Sequence, residues 1–155
     1  MNTSIGIRVK PDEVLFTVVS EEEAEIELKL IDKIIVPKAL ETPEQLKFVR
    51  GTLKDIINEN RVTVGCIRIS ESTARSISYP RVYLEGVIQE LIASSSIEKY
   101  FIGRIANISA YLDIPRDKFK VLANGEEKFR DLEIWDDLSL ESRESVLSAF
   151  SALNI

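Results

Sequence analysis

The spacing of apolar residues changes once along this chain, and that change limits which folds are open to it. Up to residue 36 the apolar positions recur every second residue. Ile5, Ile7 and Val9 do so in SIGIRVK, with Gly6 and Arg8 on the opposite face. The β-branched and aromatic run EVLFTVVS follows at 13–20, and EIELKLIDKIIV at 25–36 alternates through Ile26, Leu28 and Leu30. Each run predicts a strand. Lys10-Pro11-Asp12 and the acidic Glu21-Glu22-Glu23 supply turns, so the three strands form an antiparallel meander.

From residue 42 the period is helical. Thr42-Pro43-Glu44-Gln45 predicts a helix start with Thr42 as N-cap, proline at the first helical position and Gln45 closing a capping box. Leu46, Val49, Leu53, Ile56 and Ile57 then line one face up to Asn60. VTVGCIRIS at 62–70 is apolar on both sides, as a buried parallel strand should be. The polar loop SESTARSIS at 70–78 leads to a helix from about Pro80 bearing Leu84, Val87, Ile88, Leu91 and Ile92. IEKYFIGRI at 97–105 predicts the fifth strand. A less regular stretch broken by Pro115 and Asn124-Gly125 precedes a last helix from Ser139 to Leu153, with Val146, Leu147, Phe150 and Leu153 inward.

The order β-β-β-α-β-α-β-α, with right-handed crossovers, sets strand four beside strand one and strand five beyond it. The expected class is therefore α/β: a five-stranded mixed sheet of order 3-2-1-4-5, three antiparallel then two parallel strands, with flanking helices. That is the ribonuclease H-like arrangement.

Composition removes several function classes. The 155 residues include no histidine, which removes serine–histidine and cysteine–histidine catalysis and imidazole metal sites. One cysteine allows no intrachain disulfide and no cysteine-rich zinc site. A formal charge of −6 disfavours nucleic-acid binding unless basic residues are concentrated locally. The length predicts a single domain over 1–155. The absence of a signal-peptide pattern or a long apolar run predicts no membrane association and a cytoplasmic location.

The stretch IGIRVKPDEVLFTVVS resembles the opening of RuvC-type Holliday-junction resolvases and of the sugar-kinase and actin-like ATPases. In those proteins a strand of the form Ile-Gly-Ile-Asp is followed by a turn and a second strand. RVYLEGVIQELIASSSIEKYF at 81–101, with the closing SAFSAL, resembles a small bacterial family of RNase H-like proteins of unknown function. For the nucleases the resemblance implies two magnesium ions. They would be held by an aspartate on strand one, an acid at the end of strand four, and one or two carboxylates from the last helix.

Arg8 stands at the first of these positions. Glu71 lies just past the second, and Glu144 and Ser145 match the third. A guanidinium about 4 Å from a divalent ion, at an effective dielectric of about 20, is repelled by roughly 8 kcal/mol. Arginine does not escape by losing its proton. The expectation is a pseudo-nuclease with no cofactor, magnesium entering only if the chain is a divergent nuclease using Glu71 and Glu144. The ATPase branch fails because Lys10-Pro11-Asp12 cannot cradle a phosphate.

Three arginines, Arg8, Arg68 and Arg104, fall near the C-terminal ends of parallel strands, where open α/β sheets bind ligands. One reading is an anion- or partner-binding site in place of the metals, with Arg75 and Arg81 on the adjacent loop and helix. Its partner would be a protein or an anionic ligand. The other reading is internal neutralisation by Glu71 or acids of the last helix. A structural subunit of a larger assembly is a third class. Cys66 reads as buried filler, Gly86 as a point of close helix–sheet packing, and Trp135 as either core cover or a partner anchor.

Overall fold

The computed structural model describes residues 1–72 and 75–155. Five strands, β1 (Asn2–Val9), β2 (Glu13–Glu22), β3 (Glu25–Ile35), β4 (Val64–Arg68) and β5 (Lys99–Gly103), form one sheet of order β3-β2-β1-β4-β5. The β1–β2 and β2–β3 pairs are antiparallel, and the β1–β4 and β4–β5 pairs are parallel, as the periodicity predicts. The helices are α1 (Thr42–Glu59), α2 (Tyr79–Ser94), α3 (Ile105–Leu112), α4 (Arg116–Ala123) and α5 (Leu140–Ala152).

Helices cover both faces of the sheet. Ile5, Ile7, Val9 and Ile67 pack with Val49, Leu53 and Ile57 of α1 and with Leu84, Ile88, Leu91 and Ile92 of α2. On the other face Cys66 and Val64 meet Val146, Leu147 and Phe150 of α5, together with Ile108, Phe119 and Trp135. The meander turns between β2 and β3 through Glu23 and Ala24, both with positive φ, the geometry of a twist-compatible hairpin turn made without glycine.

Helix α5 lies directly on β1, and small residues permit the approach. A Cβ on Gly6 would come within 2.2 Å of both the Ala149 nitrogen and the Ser145 carbonyl oxygen. The Ser4 hydroxyl donates to the Ala149 carbonyl at 2.7 Å, and Thr17 and Ser145 share a hydrogen bond of 2.8 Å. Residues Glu144–Ala152 are buried throughout, so this helix is a central element wrapped on all sides.

Several local expectations give way. The capping box at α1 does not form: Glu41 is the N-cap, and the Gln45 side chain donates to the Pro37 carbonyl at 3.0 Å. A bulge at Val18/Val19 breaks the alternation of β3, sending Leu30 to the α1 face while Ile26, Leu28 and Ile31 face α5. Strands four and five are shorter than their apolar runs, and α3 begins just after β5, at Ile105. The stretch expected to be irregular holds α3, α4 and two 3-10 turns, Phe129–Asp131 and Glu133–Asp137. Gly86 is exposed and a Cβ there would meet nothing, so it marks no helix–sheet contact.

Candidate functional site: a buried arginine–glutamate cluster

In the parallel β1–β4 ladder Arg8 is the register partner of Arg68, two residues beyond the Gly6–Cys66 pair. Period two therefore sends both guanidiniums to the α5 face. There Glu144, on the first half of α5, meets them together: Arg8 Nε and Arg68 Nε each lie 3.0 Å from the same atom, Glu144 Oε2. The angles are not those of hydrogen bonds, so the three groups meet as charges at close range. All three residues are buried, Arg68 being only 3% exposed.

The remaining charge is balanced nearby. Arg68 Nη2 lies 3.5 Å from Glu71 Oε1, the atom that also accepts from the Ile105 N–H at 2.8 Å. Two guanidiniums thus face two carboxylates. Backbone carbonyls take up further donors: Arg8 Nη1 donates to the Arg68 carbonyl at 3.4 Å, and Arg68 Nη1 to that of Ile69. Burial pulls the Arg8 guanidinium down to about 10; Glu144 opposes the shift, and the neighbouring Arg68 and Arg81 charges add to it. It still carries its charge at neutral pH.

The other candidate arginines do not contact Glu144. Arg104 does not join Arg8 and Arg68; it is exposed at the N-terminus of α3, where Nε donates to the Ser70 carbonyl at 3.2 Å. Arg81 approaches Glu85 Oε2 at 3.5 Å, one helical turn on. Arg75 is exposed. Thr73 and Ala74 of the serine-rich loop lie outside the described residues.

Cys66 is fully buried, and burial pushes its thiol up to about 12. Trp135 has no exposed surface and its indole N–H donates to the Leu122 carbonyl at 2.9 Å, so it covers the core and anchors nothing outside.

Sequence reasoning missed Glu85. It is buried, and its Oε2 accepts from the Ser70 N–H at 3.2 Å, which fastens the end of β4 to α2. The available signal was its i,i+4 spacing from Arg81. It also missed the role of Gly6, which the close seat of α5 explains.

No protein-family model matches this chain, and no curated protein matches it in sequence. Solved structures do. The chain is similar to RuvC of Thermus thermophilus in complex with a Holliday junction substrate, at 11% identity over 96% of this chain and 91% of that one, with a TM-score of 0.69. A second structure of Thermus thermophilus RuvC aligns over 97% of this chain and 95% of that one at 11% identity and a TM-score of 0.66. The Fowlpox virus resolvase with Holliday junction DNA aligns over 96% and 95% at 12% identity and a TM-score of 0.54. The fold is RNase H-like.

At these identities the likeness concerns architecture, and the chemistry rests on the residues present. Within this RNase H-like frame the positions that the resemblance assigns to metal ligands hold Arg8, Glu71 and Glu144. A divalent cation wants several oxygen donors. The one carboxylate at the centre already contacts two guanidiniums, and Glu71 is committed to Arg68 and the Ile105 N–H. Among the described residues no three acids or cysteines gather as a metal-binding group. The donor set does not fit magnesium.

Proposed function

We propose that this chain is a non-catalytic RNase H-like module that acts by binding a partner. The observation that carries the reading is the position of Glu144 between Arg8 and Arg68. A cation entering there would displace both ion pairs and then stand beside two fixed positive charges, each repelling it by roughly 8 kcal/mol at about 4 Å. The cluster instead reads as a structural replacement for metals: charges of the sheet and of α5 that neutralise each other.

Arg8 and Arg68 are spent on this task and Arg81 is paired with Glu85, which leaves Arg75 and Arg104 as the exposed candidate arginines to meet an acidic protein surface or an anionic ligand. The net charge of −6 weighs against nucleic acid as that partner. The test is incubation with four-way junction and single-stranded DNA in magnesium or manganese, alongside thermal melts with and without the metal. The expected result is intact DNA and an unchanged melting temperature, since an ion that binds the native state must stabilise it.

A second reading is a divergent nuclease using Glu71 and Glu144, the two acids at the positions that the resemblance assigns to metal ligands. Metal-dependent cleavage abolished by Glu71→Gln would establish it and end the first reading.

A further inference from the structure

The β2–β3 hairpin and the end of α1 border a groove of about 860 Å³. It lies at the start of β1, the opposite end of that strand from Arg8. Register builds its floor. Thr3 of β1 pairs with Ser20 of β2, and Ser20 pairs with Glu27 of β3. One row further out, Glu22 pairs with Glu25. The Ser4 hydroxyl binds α5, so alternation turns Thr3 and its row to the α1 face, where Glu59 forms the facing wall.

The charge of this groove is one-sided. Glu22 and Glu25 are like charges directly opposite in an antiparallel pair, an arrangement that destabilises a sheet. Of the described residues lining the groove, Lys29 is the one cationic side chain, and Glu27 already holds it at 2.7 Å. Glu22, Glu23, Glu25 and Glu59 have no ion-pair partner among the described residues. Helix α1 ends here with no basic residue in its last turn, and Arg61 beyond it does not line the groove. The negative end of the helix dipole therefore adds to the carboxylates.

The floor supplies a second, independent feature. Thr3 is 7% and Ser20 9% exposed. The Thr3 N–H donates to Thr63 Oγ1 at 3.2 Å, and its carbonyl accepts from the Thr63 N–H at 2.8 Å. Neither the Thr3 nor the Ser20 hydroxyl has a hydrogen-bond partner among the described residues, and both residues line the groove. Buried polar groups are nearly always satisfied. The open side of these two is the groove, so whatever fills it must supply their partner.

We propose that this groove binds a linear aliphatic polyamine. Its ammonium groups spread between the hairpin acids and Glu59, and one of them donates to the Thr3 and Ser20 hydroxyls. The acids are too dispersed for a single metal ion, since no three of them gather as a metal-binding group among the described residues. A basic peptide brings backbone acceptors as well as donors, and the floor offers it no open ladder, because β2 is paired on both sides. A polyamine brings donors alone to carboxylates and hydroxyls, and its methylenes suit the buried Val18 beside them.

Calorimetric titration of the full chain with spermidine tests the proposal, with tetralysine and magnesium chloride as parallel ligands. One spermidine per chain is expected. Thr3→Val and Ser20→Ala each remove a hydroxyl at nearly constant size, and each should raise the dissociation constant about fivefold. Glu59→Gln, on the facing wall, should do the same. Glu133→Gln, an exposed acid outside the groove, should change it by less than about twofold. If the Thr3 variant fails to fold, the Ser20 and Glu59 variants carry the test. No heat with roughly millimolar spermidine overturns the proposal. So does binding indifferent to the hydroxyl changes, which is general attraction to an acidic protein. Tetralysine or magnesium binding more tightly than spermidine overturns it as well.

Discussion

Arg8 and Arg68 leave adjacent parallel strands side by side and close on one oxygen of Glu144, each at 3.0 Å. Two like charges held in register beneath a helix would repel strongly without the carboxylate between them. The acid therefore holds the cluster together, and its removal is the most direct probe.

Glu144→Gln keeps the shape of the side chain and deletes the charge. The expected outcome is a loss of about 3–5 kcal/mol in stability, because two buried guanidiniums lose their common counter-ion. Urea denaturation measures it. A loss below about 1 kcal/mol would mean that solvent screens the site. Replacing Arg8, Arg68 and Glu144 together with apolar residues should cost much less than the single change, since a buried ion group adds little net stability over well-packed hydrophobes.

Gly6→Ala places a methyl 2.2 Å from backbone atoms of α5. Backbone cannot yield as a side-chain tip does, so α5 must lift off β1. A destabilisation of about 3 kcal/mol or more is expected, read as a lower thermal midpoint. Gly86→Ala meets nothing and removes a flexible residue from a helix, so it should raise stability by about 0.5–1 kcal/mol.

The five strands, α1, α2 and α5 were legible because each carries a long run of one period bounded by turn residues. The region between Arg104 and Leu138 was not. Its helices α3 and α4 are eight residues each, too short for periodicity to rise above chance, and Arg130 and Asp131 adopt positive φ without a glycine to announce it.

The candidate site was half legible. That Arg8 replaces an acid is visible in the residue order, but its pairing with Arg68 depends on register, and the departure of Arg104 depends on where β5 ends. The bulge in β3 was not legible, because Leu30 and Ile31 are adjacent apolar residues and the residue order alone does not say which of them faces α5.

Cys66 gives a pH-dependent signal. Its thiol is raised from an ordinary value of 9.0 to about 12 by burial, so between those values the unfolded chain loses a proton that the folded chain keeps. Stability should fall as pH rises from 9 to 12. Arg8, lowered by burial from its ordinary value to about 10, acts in the opposite direction above pH 10, where the unfolded chain binds the extra proton. The stability difference between the wild type and Cys66→Ala, followed by urea denaturation between pH 8 and 10, isolates the thiol. Parallel curves would contradict its burial. At pH 8 the native thiol should resist thiol-modifying reagents until urea unfolds the chain.

Arg143 binds three backbone carbonyls: Trp135 from Nε at 2.9 Å, Ala123 from Nη1 at 3.2 Å and Asp136 from Nη2 at 3.4 Å. It joins the end of α4 to the turn that carries the sole tryptophan. Arg143→Ala should cost about 2 kcal/mol and red-shift Trp135 fluorescence as that turn loosens. Arg143→Lys should recover little, because an ammonium lacks the planar fork that reaches three acceptors.

The seating of α5 on β1 also bears on how the protein is made. Translation delivers β1 well before α5. Until α5 emerges, the guanidiniums of Arg8 and Arg68 have no Glu144, and Gly6 leaves bare backbone beneath them. Folding on the ribosome can assemble the meander and the α1–α2 side early. The opposite side of the sheet must stay open until α5 has been made, which makes that helix the latch of the sheet.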